Sequence, residues 1–418
     1  MQPLASAMTT LRQVLAAAIK SLLRGKSLIR ALLSFWIRET PLKGGKVSSK
    51  HAPSRTIDDF LREAEQLFVE STTEAALREF SSKLKVQFRE GLWSNPACML
   101  PSFNHQLPHG FERGQYLVLD VGGSTLRVAL AELRGRGARG AESEIIRMDV
   151  FKINPQIKSL KGMDFFDWVA QRISETLSKS PRQPPPQQQQ QQQQSTSDKP
   201  LPLGIAWSFP IEQTSIRSGR LHDMGKGFLA AEGLLGQDLG DIIESACQTV
   251  GLIVEVSAIV NDSTATLLSQ AYINPSTRFG LILGTGVNIA AHLPISVIGR
   301  EKFGARPDSW YERASHVVVN TELGMFGKGI LPATRWDRLL NASHPRPDFQ
   351  PLEQMVSGYY LGEICRYALI EAINSTGLFG GVLPPSLSKP YSLDTETLSI
   401  AEEYVFLSTG FHTLLFVL

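Results

Sequence analysis

Asp120-Val-Gly-Gly-Ser-Thr-Leu-Arg127 joins two apolar runs of strand length, Tyr116 to Val121 and Leu126 to Leu133. Such runs on either side of a Gly-Gly pair predict a β-hairpin, with this octapeptide at its tip. The tip has chemistry suited to a polyphosphate. Gly122 and Gly123 let backbone N–H groups approach phosphate oxygens, and Ser124 and Thr125 offer hydroxyl donors. Arg127 brings positive charge, and Asp120 can hold Mg²⁺ through water. A second loop of small residues, Leu283-Gly-Thr-Gly-Val-Asn288, again follows a strand-like run, Phe279 to Leu283. Its amides and the hydroxyl of Thr285, together with the first loop, can grip one triphosphate from both sides.

Between the two loops lies Val260-Asn-Asp-Ser-Thr264, where the apolar run Ile253 to Val260 gives way to a helical pattern. Asp262 has two readings there: an N-cap, or a general base beside a sugar hydroxyl with Asn261 bonding a neighbouring hydroxyl. Residue chemistry alone does not choose between them. Short strands at Ile205 to Trp207 and His316 to Asn320 alternate with helices, an α/β signature. Ile57 to Phe88 carries Phe60, Leu61, Phe68, Leu77, Phe80 and Leu84 at helical spacing, so two amphipathic helices with a core-packing role are expected. A G-x-G-x-x-G match at Gly135, Gly137 and Gly140 is followed by the strand-like Ile145 to Val150 instead of a helix. It reads as an arginine-rich hairpin loop and not as a dinucleotide site. No Walker A sequence and no HRD or DFG set occurs, which excludes those two phosphoryl-transfer architectures.

With 418 residues, 42% apolar and 20% charged, the chain can form a two-lobed enzyme. A net charge of +2, from 42 basic and 40 acidic side chains, gives no global attraction for nucleic acid. The three cysteines, Cys98, Cys247 and Cys365, are widely spaced and outside any metal-ligand pattern, which points to a reducing compartment without structural zinc. Met1 to Arg38 contains no acidic residue, and residues 1–39 are expected to form a basic amphipathic helix. Such a helix suits targeting, or contact of residues 9–38 with the mitochondrial outer surface or another anionic membrane. Arg24, Lys26 and Arg30 break the run, so it is not a spanning segment. Residues 40–56 read as a linker. The Pro/Gln tract at 181–202 reads as a disordered insertion.

The order of DVGGSTLR, LGIAWSFPIEQTSI, GKGF, VNDSTATL, LGTGVNIA, VNTELGMF and LEQMVSGYYLGEICR resembles the eukaryotic (fungal-type) hexokinase family from about Ile57 to the early 380s. The resemblance implies an α/β, two-lobed ribonuclease-H-like, actin-type ATPase fold. It implies residues 57–258 as N-terminal helices and small lobe, and residues 259–418 as the large lobe. It also implies ATP-dependent phosphorylation of a hexose (glucose, mannose or fructose) at the 6-hydroxyl, the first step of glycolysis, with Mg²⁺. Asp262 matches the family's general base, and Ser208, Lys226, Asn261, Asn288, Glu322 and Glu353 match positions around the sugar. Asp120, Gly122, Gly123, Ser124, Arg127, Gly284 and Thr285 match positions around phosphate and metal. The chemistry agrees, since a polyhydroxylic, uncharged substrate needs several fixed amides and carboxylates. Lys226, Arg127 and loop amides would stabilise charge in the transition state.

Three departures stand out. The family loop GGTNFR is here Gly122-Gly-Ser-Thr-Leu-Arg127, and its Thr-Lys-Gly-Phe is here Gly225-Lys-Gly-Phe228. Loss of one hydrogen bond costs about 0.5 to 1.5 kcal/mol, which weakens a site without abolishing it. The apolar end, Tyr404 to Leu418, stands where the family continues into a Gly-rich adenosine-binding segment. A large lobe incomplete at its C-terminus is therefore expected. The alternatives to a working kinase are a catalytically weak sugar-binding or regulatory protein at mitochondria and a non-functional truncated product.

Overall fold

The computed structural model describes residues 55–179, 199–225 and 227–402. The expected basic helix at 1–39, the linker up to residue 54, most of the Pro/Gln tract, Lys226 and the apolar end lie outside the described residues. The principal helices are α1 (Ile57–Val69), α2 (Glu74–Trp93), α3 (Met163–Ser178), α4 (Leu239–Thr249), α5 (Asp262–Ile273), α6 (Arg335–Ser343), α7 (Pro351–Val356) and α8 (Gly358–Thr376). The strands are β1 (Leu100–Pro101), β2 (Gly114–Val121), β3 (Thr125–Leu133), β4 (Ser143–Lys152), β5 (Leu201–Trp207), β6 (Ile211–Gln213), β7 (Gly219–Leu221), β8 (Val254–Val260), β9 (Phe279–Leu283), β10 (Val287–Pro294) and β11 (His316–Asn320). Backbone packing divides the chain into two units, one of Met1–Arg89, Leu283–Val287 and Leu323–Leu418, the other of Glu90–Ile282 and Asn288–Glu322.

The second unit contains a five-stranded sheet in the order β4-β3-β2-β5-β8. β2, β3 and β4 form an antiparallel meander, whereas β5 and β8 run parallel to β2. Side chains alternate along each strand, so Leu117, Leu119 and Val121 of β2 face the same way as Leu203, Ile205 and Trp207 of β5. That face is buried under Phe165, Phe166, Val169 and Ile173 of α3 and Ile242, Ile243 and Ala246 of α4. Each of the buried Val, Leu, Ile and Phe side chains is worth about 1.5 to 3 kcal/mol when taken out of water. Asp238 caps α4 through the Gly240 and Asp241 amides, while Arg147 of β4 donates to the Thr176 and Leu177 carbonyls at the end of α3.

The smaller sheet has the order β1-β11-β10-β9. Leu267 of α5 is buried against Ala290 and Val318 on it. Gly280 of β9 makes the close approach possible: a Cβ there would lie 2.5 Å from the Leu267 nitrogen and 2.6 Å from the Ser263 oxygen.

In the first unit, Phe60, Leu61 and Ala64 of α1 are buried with Trp336 and Leu340 of α6 and with Tyr360, Ile364, Ala368 and Ala372 of α8. Thr56 caps α1 and Thr334 forms a capping box with Asp337 at α6. Arg335 holds Glu371 of α8 with two hydrogen bonds of 2.6 Å and reaches Glu63 of α1 at 2.8 Å.

Several expectations are corrected. Leu201 and Pro202, expected to belong to a disordered insertion, are strand residues that pair with Val254 and Glu255. The lobe boundary expected at residues 258 and 259 falls inside β8, and α1 packs on residues 336–372, not with the rest of 57–258. Core packing describes α1 but not α2, whose only buried residue is Gly91; Leu77 is 49% exposed. The G-x-G-x-x-G segment is the β3–β4 connection, as expected of a loop, with Gly135 at φ +83°. Arg136 there donates to the Ala271 and Tyr272 carbonyls at the end of α5, a structural role.

Burial opposes the Glu371 carboxylate, but hydrogen bonds from Arg335 and Trp336 outweigh it and hold the group below the usual carboxylate range. A depressed folded-state pKa adds stability above the unfolded value, and this is lost as pH falls through the folded value. Glu371→Gln is therefore expected to cost about 1 to 3 kcal/mol near neutral pH, with the gap from the unmodified chain narrowing below pH 4. Thermal unfolding across pH checks this, and a gap that does not depend on pH would contradict it.

The three cysteines are free and buried. Burial pushes the Cys98 thiol up, Cys247 to about 11 and Cys365 to about 12. Because the thiolate is the reactive form, iodoacetamide at pH 7.5 should leave all three unmodified in the native chain and label all three after denaturation, as read by intact mass.

Candidate functional site

The sheet register determines where the polar loops of the second unit emerge. Val121 pairs with Trp207, and Ala206 with Val260, so the three parallel strands β2, β5 and β8 end nearly level. Their carboxyl ends lead into Gly122 to Ser124, Ser208, and Asn261 to Asp262, respectively. Ligands of open α/β sheets lie outside such ends. The Ser208 N–H donates to the Val121 carbonyl at 3.2 Å, which ties two of these loops together.

At the hairpin tip, Asp120 and Arg127 are cross-strand partners joined by an ion pair of 2.6 Å. Arg127 is half exposed, so the pair adds little stability and presents both charges at the rim. Gly122 differs from expectation: its N–H closes the turn onto the Thr125 carbonyl at 3.0 Å and is not available to a phosphate. Gly123 and Ser124 occupy the centre of the same turn, and the Ser124 carbonyl accepts from Ile153 N–H at 2.9 Å.

The alternatives for Asp262 separate once the helix start is seen. Asn261 is the N-cap of α5, its Oδ1 accepting from Thr264 N–H at 3.0 Å, and Asp262 is the first helical residue. Asp262 Oδ1 accepts from Ser263 N–H at 2.7 Å, and Asn261 Nδ2 donates to Ser263 Oγ at 2.9 Å. Capping therefore falls to the asparagine, leaving the aspartate held at a helix N-terminus.

Asn288 of β10 and Glu322, just beyond β11, are joined through Asn320. Asn288 Nδ2 donates to Asn320 Oδ1 at 2.9 Å, and Asn320 Nδ2 donates to Glu322 Oε1 at 2.7 Å. Glu322 has φ +51°, the left-handed region that a residue with a Cβ enters at a cost. Such strain gathers at functional sites. Asn320 was not singled out from sequence; its place inside VNTELGMF, two residues before Glu322, was the available signal.

Gly284, Thr285 and Glu353 belong to the first unit. Glu353 of α7 accepts from Val287 N–H at 2.9 Å, and Gly286 has no room for a side chain, since a Cβ would sit 2.6 Å from Glu353 Oε2. The Gly284 and Thr285 carbonyls accept from Gly358 and Tyr359 at 2.7 and 3.1 Å. Two otherwise unpaired amides of the α8 N-terminus are thus spent on the loop. Beside Thr285 lies a cavity of about 370 Å³ with Gly358, Tyr359, Tyr391, Asp394 and Thr395 among its lining residues. The Tyr359 and Tyr391 rings lie 5.1 Å apart at 31°, an aromatic wall that the sequence reading did not assign.

Among the described residues no group of three or more His, Cys, Asp or Glu could hold a metal ion. A single carboxylate such as Asp120 fits Mg²⁺ that arrives with a triphosphate and keeps several waters, not a permanent protein cage.

Two family profiles, each described as Hexokinase, match residues 61–272 and 278–411. The chain belongs to the hexokinase family. It is 32% identical to hexokinase-2 of Candida albicans over 73% of this chain and 60% of that protein, and 32% identical to hexokinase-1 of Nicotiana tabacum over 84% and 67%. The chain spans about 60 to 67% of the length of these curated relatives. A solved hexokinase from Schistosoma mansoni, complexed with glucose, is 29% identical, covers 80% of this chain and 71% of that one, and superposes with a TM-score of 0.62. The fold is the two-lobed, actin-type α/β fold of the hexokinases.

Gly280 sets the seat of the helix that carries Asp262. Gly280→Ala is expected to lose about 1 to 3 kcal/mol through overpacking, read as a lower unfolding midpoint and faster amide exchange along α5. An unchanged midpoint would show that the helix has room to move.

Proposed function

We propose that this chain phosphorylates a hexose, with glucose the expected acceptor, at the 6-hydroxyl using ATP. The supporting observation is that Gly122 to Ser124, Ser208 and the Asn261–Asp262 pair emerge at the level ends of β2, β5 and β8. In this reading Asp262 accepts the proton of the 6-hydroxyl as the new O6–P bond forms and the bond from the γ-phosphorus to the bridging oxygen breaks, releasing ADP. Ser208, Asn261, Asn288 and Glu322 hold the remaining hydroxyls, and Glu353 keeps the sugar-binding role that family resemblance gives it. Lys226 and Arg127 offset phosphate charge; for Arg127 this means exchanging Asp120 for the incoming anion. Asp120, Gly123 and Ser124 of the second unit, and Gly284 and Thr285 of the first, keep the triphosphate-binding role that family resemblance gives them, Gly122 acting by shaping the turn. The Tyr359–Tyr391 cavity beside Thr285 has the size and aromatic wall for a purine base. Mg²⁺, when bound with the nucleotide, supplies neutralisation of the β- and γ-phosphate oxygens.

The unmodified chain should form ADP in a glucose-dependent coupled assay, and Asp262→Ala should lower the rate by about 10²- to 10⁴-fold while retaining the thermal midpoint. ADP formation that is indifferent to Asp262 would overturn the reading.

We also place the chain in the cytosol with association at the mitochondrial outer surface, supported by the acid-free run before Arg38. Deleting residues 1–38 should abolish co-sedimentation with purified mitochondria; retained co-sedimentation would refute the assignment.

A further inference from the structure

We propose that Asn320 is a positioning residue of the hexose site, setting the Asn288 carboxamide and the Glu322 carboxylate with one side chain. The proposal rests on the sugar-phosphorylating reading above. Asn320 Oδ1 accepts from Asn288 Nδ2 at 2.9 Å and from Glu322 N–H at 3.3 Å, while its Nδ2 donates to Glu322 Oε1 at 2.7 Å. Asn288 in turn has its Oδ1 on Ile289 N–H at 2.8 Å. A flipped Asn288 amide would set donor against donor at Ile289 and acceptor against acceptor at Asn320, so its orientation is fixed from both ends.

The backbone beneath this chain of amides is pinned independently. Thr321 donates to the Ile289 carbonyl through both N–H, at 2.9 Å, and Oγ1, at 2.8 Å, and its own carbonyl accepts from Met99 N–H at 3.0 Å. Those bonds keep Glu322 at φ +51°, but they do not aim its carboxylate. Asn320 does that. An asparagine is required because the position must donate to a carboxylate and accept from two N–H groups at once. Aspartate cannot donate when ionised, and serine is too short for both reaches. The acceptor atom carries two bonds and the donor nitrogen faces Glu322, so Asn320 acts on a sugar through its neighbours.

The test is hexose KM, MgATP KM and kcat against pH for Asn320→Asp. Two carboxylates then face each other, and like charges favour a shared proton as pH falls. Hexose KM is expected about tenfold above that of the unmodified chain at pH 8.5 and within about twofold of it at pH 6, with MgATP KM unchanged. If the aspartate variant does not fold, Asn320→Ser removes the bonds without adding charge and should raise hexose KM about tenfold at every pH. The proposal is overturned if the aspartate variant keeps the unmodified hexose KM at pH 8.5. It is equally overturned if hexose and nucleotide KM rise together, or if the serine variant stays within twofold. Glucose titration of the unmodified chain by calorimetry separates the two levels: no binding there sinks the sugar-phosphorylating reading, whereas normal binding with an indifferent Asn320→Asp sinks only the positioning role.

Discussion

The level parallel ends of β2, β5 and β8 are the constraint on which the second unit's site depends. Pairing of Leu119 with Ile205 and of Ile205 with Ile259 holds the register, because slipping by one residue would turn the buried face outward. With Leu119, Ile205 and Ile259 at or below 1% exposure, that slip is prohibitively costly. The polar loops beyond the strand ends need supply almost no stability of their own. The Asp120–Arg127 pair illustrates the division, with charges left partly exposed at the rim while the apolar face below sets the geometry.

Helix α5 carries the same logic one step further. Its N-terminus is fixed from outside by Gly280, which lets the β9 backbone approach the Leu267 nitrogen, and from inside by the Asn261 cap. A cap alone is worth about 1 kcal/mol, too little to hold a helix against a sheet. Burial of Leu267 on Ala290 and Val318 provides the larger share. The position of Asp262 is thus set by the seating of the helix, with its own bond from Ser263 N–H a local addition.

The strands and the tip of the β2–β3 hairpin were legible in the sequence because each rests on a local pattern: alternation, a Gly-Gly turn, or a run ending in polar residues. Asp262 could not be separated from an N-cap, since only the dihedral angles at Asn261 show which residue begins the helix. Asn320 was illegible for another reason. Its importance lies in pairwise geometry with a residue 32 positions earlier, and an asparagine ending a strand looks like a turn residue. The aromatic wall of Tyr359 and Tyr391 joins residues 32 apart across a helix and loops, beyond any periodic signal. Helix α2 misled in the opposite direction: its apolar spacing is helical and Phe88 meets Phe326 edge-on, yet Leu77 stays exposed, since amphipathicity predicts a face and not what covers it.

The substitution of glycine for the family's usual threonine at residue 225 has a backbone basis. Gly225 has φ +62°, its N–H donates to Asp223 Oδ1 at 3.0 Å, and its carbonyl accepts from Phe228 N–H at 2.9 Å. The turn is therefore built around the left-handed region, which glycine enters freely and a β-branched residue does not. A threonine there would have to displace the Asp223 bond or accept the strain, although a Cβ would meet no neighbouring atom within 4 Å. Conformation, not space, excludes the hydroxyl. The identity of residue 225 is thus coupled to the shape of the turn.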